Sequence, residues 1–127
     1  MSAVVIDAGA LIAIERNDRT VIAMLRAAQQ IARPVKTNAN IVAQVWRDRR
    51  GRQASLARAL SGMEIAPVLP EDGRAAGVLL GENRSSDVVD ATIVVLLNPG
   101  DVVITSDPDD IGALINTRRI NATVIGC

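Results

Sequence analysis

The stretch Ser2-Ala3-Val4-Val5-Ile6-Asp7-Ala8-Gly9-Ala10-Leu11-Ile12-Ala13-Ile14-Glu15 decides how the rest of the chain is read. Ser2 to Ile6 is a β-branched and alanine run that suits a strand and stops at an aspartate. Ala8 to Glu15 continues with helix-compatible residues and an Ile/Leu/Ala face. The segment is a strand-to-helix unit with one acid at its joint.

The same alternation continues outward. Thr20 to Ile31 places Val21, Met24, Leu25, Ala28 and Ile31 at helical spacing, after turn or cap chemistry at Asn17 and Asp18. Pro34 to Thr37 is extended in character, and Asn38 caps a helix that carries Ile41, Val42, Val45 and Trp46 along one side. Gly51 interrupts it before a further helix over Gln53 to Leu60. Met63 to Val68 reads as a strand, and Pro70, Glu71 and Asp72 start a helix that runs to about Gly81. Ser85 and Ser86 offer an N-cap for a long apolar helix from Asp87 to about Leu97, closed by Asn98, Pro99 and Gly100. Val102 to Thr105 is a buried strand, Ser106 to Asp110 a turn and helix start continued by Ile111 to Ile115, and Thr123 to Ile125 a last short strand. Strands separated by helices imply a parallel sheet of four to five strands covered on both faces, an α/β fold.

Length and composition narrow the chemistry. A chain of 127 residues with 49% hydrophobic content fits one domain, 1–127, with its own core. Histidine is absent and the one cysteine is Cys127, which removes thiol frameworks, zinc fingers and imidazole acid–base catalysis. Neither a leader-like N-terminal segment nor an apolar stretch near membrane-spanning length is present, so a soluble, cytoplasmic protein with no membrane contact is expected. Fourteen basic residues balance fourteen acidic ones, so any nucleic-acid contact must rest on a local patch.

The acids carry the functional signal. In an open parallel sheet, ligands bind beyond the carboxyl ends of the strands, near the point where strand order reverses. Asp7 directly follows the first strand and Asp107 follows Val102 to Thr105, while Asp90 lies near the start of the helix feeding that strand. Three carboxylates without histidine or thiolate suit Mg2+ or Mn2+, hard cations that prefer oxygen. Each acid also has a plainer reading: a cap or turn former for Asp7 and Asp107, and a dipole-favoured acid near a helix start for Asp87 and Asp90. Asp90 is the hardest to read that way, because it interrupts Val88, Val89, Ala91, Ile93, Val94 and Val95 and needs a partner or a metal there. Asp109 and Asp110 read as first-turn acids.

Val-Val-Ile-Asp-Ala-Gly-Ala-Leu-Ile-Ala at 4 to 13 resembles the opening of a PIN domain. Asp-Val-Val-Asp-Ala-Thr-Ile-Val at 87 to 94 and Val-Ile-Thr-Ser-Asp-Pro-Asp-Asp at 103 to 110 resemble the third and fourth acidic motifs of VapC-type toxins, in the right order. The resemblance covers essentially the whole chain. It implies a three-layer α/β/α fold, Mg2+- or Mn2+-dependent endoribonuclease activity, a homodimer, and a cognate antitoxin whose arginine or lysine occupies the acidic site. Asp7, Asp90 and Asp107 would be the catalytic, metal-site acids, supported by hydrogen bonds from Thr105 or Ser106. In one place the chain departs from the pattern: the family's second acid, in an Ala-Glu-Val context, is here Ala43-Gln44-Val45. Glutamine offers a neutral oxygen but no charge and cannot act as a general base. A PIN-fold protein with weak or lost nuclease activity, acting through protein or RNA binding, is therefore the alternative. Asp87, three residues before Asp90, could restore a carboxylate to that face.

Arg47, Arg49, Arg50, Arg52 and Arg58 fall close together after the helix bearing Gln44. They suit an RNA-binding patch through forked guanidinium donors, or a solvated helix end whose cations complement the dipole. Trp46, the sole aromatic, fits core or interface packing better than base stacking. A receiver-type signalling domain would need an acidic pair after the first strand and a lysine after the last, and a dinucleotide-binding module a Gly-x-Gly-x-x-Gly turn. The chain supplies neither.

Overall fold

Val4, Val5 and Ile6 are all buried, which requires cover on both faces of the strand they form. The computed structural model describes residues 1–47, 51 and 53–127. In it this strand, β1 (Val4–Ile6), is the centre of a five-stranded all-parallel sheet. The other strands are β2 (Val35–Asn38), β3 (Glu64–Ala66), β4 (Val102–Thr105) and β5 (Thr123–Gly126), in the order β3-β2-β1-β4-β5. Val4 sits opposite both Val35 and Val102, and Ile6 opposite Ile104.

Helices α1 (Ala8–Glu15), α2 (Arg19–Gln30), α3 (Ala39–Val45) and α4 (Ala54–Ser61) pack together around α1, while α5 (Pro70–Asn83), α6 (Val88–Leu96) and α7 (Pro108–Arg118) form a second layer. The core lies between them and the sheet, with Ile6, Leu11, Leu56, Ile93, Leu97, Ile104 and Ile111 almost inaccessible to solvent. The edge strands are more exposed. On β3, Glu64 reaches back to Lys36 of β2 at 3.8 Å, a surface pair worth at most about 1 kcal/mol. Among the described residues, no helix is long and apolar enough to cross a membrane.

The expected bounds hold for α1 and β4 and shift elsewhere. β1 begins at Val4, β3 spans only Glu64–Ala66, α5 continues past Gly81 to Asn83, and α7 runs on to Arg118. The cap of α2 is Asp18, whose carboxylate accepts from Thr20 and Val21 N–H, while Asn17 takes a left-handed turn at φ 60°. The cap of α6 is Asp87 and not Ser85 or Ser86, because its Oδ1 accepts from Asp90 N at 2.9 Å. Trp46 falls outside α3 and is 38% exposed, so core packing does not describe it.

Candidate metal and nuclease site

Because all five strands are parallel, their carboxyl ends share one edge, and strand order reverses between β1 and β4. That is where a crevice opens in such sheets. Asp7 stands directly after β1 and Asp107 two residues after β4, on either side of this point.

Asp7 is 3% exposed and does two jobs. Its Oδ1 accepts from Ala10 N at 3.0 Å, capping α1, and its Oδ2 accepts from the Thr105 hydroxyl at 2.5 Å. Thr105, fully buried, in turn accepts from Asp107 N at 2.9 Å. One hydroxyl therefore ties the loop after β1 to the loop after β4. Asp107 occupies the cap position of α7, yet its exposed side chain makes no cap hydrogen bond, which leaves the carboxylate available.

Asp90 is different again. It lies in the first turn of α6, is 7% exposed, and among the described residues its buried Oδ2 has no hydrogen-bond partner. Burial, and after it the charges of Asp87, Asp107, Asp7 and Asp110, push its carboxyl up to about 7. Four neighbouring carboxylates thus act on one orphaned oxygen. Asp87 is exposed and turned back onto Asp90 N as a cap, so it bears on the site by charge while serving the helix. Asp109 and Asp110 are first-turn acids of α7, as their sequence position implies.

Ser106 is placed by a close approach. A Cβ on Gly9 would lie 2.1 Å from Ser106 Oγ and 2.3 Å from its Cβ, so α1 can start here only with glycine at its second position. Gly9→Ala is therefore expected to destabilise the chain by about 1–3 kcal/mol by overpacking. In an unhindered helix the same change would stabilise by roughly 0.5–1 kcal/mol. Urea unfolding reads the sign, and a stabilised variant would contradict the contact.

Gln44 is exposed and lines a groove between α1 and α3 with Ile12, Glu15, Arg16 and Arg47; none of Asp7, Asp90 and Asp107 lines it. Arg47 closes the end of α3, its Nη1 donating to the carbonyls of Ala43 at 3.1 Å and Trp46 at 2.7 Å. Arg58 belongs to a different surface, beside Arg26 of α2. Arg49, Arg50 and Arg52 lie outside the described residues.

A network the sequence did not reveal holds α3 against α6. Thr92 Oγ1 accepts from Asn38 Nδ2 and Asn40 Nδ2, each at 3.2 Å, and donates to Val89 O at 2.9 Å. The signal was present in the threonine that breaks the apolar run of α6 two residues beyond Asp90. Asp101, 2% exposed at the opposite edge of the sheet, is a useful contrast. Its two oxygens accept from Ala3 N at 2.7 Å and Asn98 N at 2.8 Å, so it is a fully satisfied structural acid.

The donor set fits a hard divalent cation. Among the described residues no three acids or thiols converge closely enough to cage an ion by themselves. Magnesium needs no such cage: it keeps several waters and takes one or two carboxylates together with substrate phosphate oxygens. The unpartnered Asp90 Oδ2 is the oxygen such an ion would satisfy.

No protein-family model matches the chain, and no curated protein matches it in sequence. Among solved structures, it is similar to a chain in the crystal structure of VapBC2 from Rickettsia felis bound to a DNA fragment from their promoter. That match has a TM-score of 0.71 and 12% sequence identity, over 98% of each chain. With five parallel strands in the order β3-β2-β1-β4-β5 between two helical layers, the chain has a PIN-like three-layer α/β/α fold.

Proposed function

We propose that this protein is a cytoplasmic, Mg2+- or Mn2+-dependent endoribonuclease and the toxin of a toxin–antitoxin pair. The observation that carries the reading is Asp90, a buried carboxylate with one oxygen unpartnered and four acids acting on it at the reversal point of the sheet. A stable fold retains such a group at a cost, and a cation offsets it. The fold likeness to a toxin–antitoxin structure supports the partner, an antitoxin whose cationic side chain would neutralise the same acids.

Asp90, Asp7 and Asp107 would hold the ion, one or two of them directly and the rest through its waters, with Thr105 keeping Asp7 and the Asp107 backbone in register. When bound, the ion supplies an activated water and stabilises charge on the phosphate and the leaving oxygen. A phosphorus–oxygen bond to water forms as the bond to the leaving oxygen breaks, and that oxygen takes a proton. Arg47 and its neighbours Arg49, Arg50 and Arg52 are proposed to contact the RNA backbone, and the toxin to work as a homodimer. A second reading, a PIN-fold protein with weak or lost activity, draws on Gln44, which supplies no charge where the resemblance implies a glutamate.

Calorimetric titration of the metal-stripped protein with Mn2+ at pH 6 and pH 8, beside cleavage of an RNA panel, tests both. Asp90 must give up a proton to bind, so affinity is expected to fall up to about tenfold for each pH unit below about 7, with proton release seen in buffers of different ionisation enthalpy. Binding with cleavage supports the nuclease, and binding without cleavage supports the second reading. No binding at either pH overturns the metal site.

A further inference from the structure

We propose that the groove between α1 and α3 is a subsite for one nucleotide of single-stranded RNA flanking the scissile position, in which Gln44 reads the base and Arg16 and Arg47 hold phosphate oxygens. The inference rests on the reading of the chain as a ribonuclease and gives Gln44 a task other than metal binding.

Two helical stripes define the groove. Both α1 and α3 start at the carboxyl edge of the sheet, α1 from its Asp7 cap and α3 from its Asn38 cap. On α1, Ala8, Ile12 and Arg16 recur at four-residue spacing, and on α3, Asn40 and Gln44 do, so each set shares one face, while Arg47 lies past the end of α3 and is held there by the carbonyls of Ala43 and Trp46. The stripes begin among the acids, since Asp7 precedes Ala8 and Asn40 hydrogen-bonds Thr92 on the helix of Asp90. They end at a cavity of about 300 Å³ lined by Ile12, Glu15, Arg16, Gln44, Val45 and Arg47. Ile12 and Gln44 lie four residues, about 6 Å along the helix, past Ala8 and Asn40, so the cavity adjoins the start of the stripes and would take the neighbouring nucleotide.

The lining chemistry matches a nucleotide. Ile12 and Val45 offer apolar surface for a base, and the Gln44 amide presents a donor and an acceptor side by side, the pattern that pairs with base edges. Glu15 can accept from an exocyclic amino group. Arg16 is exposed and has no ion-pair partner among the described residues, whereas Arg47 is held by the carbonyls at the end of α3, so its ordering cost is already met. Single strands, whose base edges are open, are what proteins read in RNA by sequence.

The test is equilibrium binding of fluorescein-labelled, random-sequence RNA decamers in EDTA, with sequencing of the bound fraction. Wild type is compared with Arg16→Ala and Gln44→Ala, whose melting temperatures are checked against it. Arg16→Ala is expected to weaken binding about fivefold and to reduce the salt slope by about one. Gln44→Ala is expected to flatten the sequence preference at one position while leaving the salt slope unchanged. Wild-type binding and preference that neither variant alters would overturn the subsite and leave the nuclease reading standing. An absence of both RNA binding and metal-dependent cleavage would remove the two together. Binding of a glutamate-rich peptide lost in Arg16→Ala, with no RNA binding, would reassign the groove to a protein partner.

Discussion

Asp90→Asn is expected to make the metal-free protein more stable and, in the same step, to abolish the proposed cation-dependent cleavage. The carboxyl is 7% exposed with an unpartnered oxygen, and its pKa stands at about 7 against an ordinary 3.8. Between those two values the folded chain holds a proton that the unfolded chain has released, so stability falls as pH rises through that window. At about 1.4 kcal/mol per unit, the loss by pH 8 is on the order of 4 kcal/mol. An amide carries no charge to desolvate, so the variant escapes most of it. In EDTA at pH 8 its melting temperature is expected to exceed wild type by on the order of 10 °C, while at pH 4.5 the two nearly coincide. Equal melting temperatures at pH 8 would mean that the ionised carboxylate already has a partner. Asp87→Asn separates charge from capping, because asparagine caps a helix as well as aspartate does. It should lower the Asp90 pKa and recover part of the same stability without loosening α6.

The residues that were legible in the sequence and those that were not differ in what determines them. The bounds of α1 and β4 could be read directly, because the apolar period changes sharply at Asp7 and at Ser106. The cap of α6 could not. Ser85, Ser86 and Asp87 are all good caps, and the choice depends on which residue's oxygen meets an N–H of the first turn. Trp46 continued the apolar spacing of α3, but the helix stops at Val45, where Gln53 donates to Val45 O and accepts from Arg47 N, each at 2.8 Å. That partner lies eight residues further on, beyond any local pattern. Motif order placed Asp7, Asp90 and Asp107 at one edge and motif position put Gln44 with them, but neither could show the groove that Gln44 lines with Ile12 and Arg16. Asp90 and Asp101 are both buried acids. Only the tertiary hydrogen bonds separate the one with an unpartnered oxygen from the one with none.

Asp7→Asn and Asp107→Asn should both cut the proposed RNA cleavage on the order of a thousandfold, yet differ in stability, and the difference is what identifies their roles. Losing one anionic ligand removes several kcal/mol of the stabilisation a metal gives the transition state, at about 1.4 kcal/mol per tenfold. At position 107 the cost ends there. Its side chain is exposed and makes no cap bond, so unfolding free energy should stay within about 0.5 kcal/mol of wild type. At position 7 the asparagine carbonyl can still cap Ala10 N, but the buried Thr105 hydroxyl loses its charged acceptor. Hydrogen bonds to charged groups are worth about 1.5–3 kcal/mol, and a loss of that size is expected. The lock that Thr105 makes to Asp107 N loosens with it. Urea unfolding and single-turnover cleavage on the same preparations separate the two effects. If the activity of Asp7→Asn fell only in proportion to its unfolded fraction, Asp7 would be a structural acid and the metal site would have to be built from Asp90 and Asp107 alone.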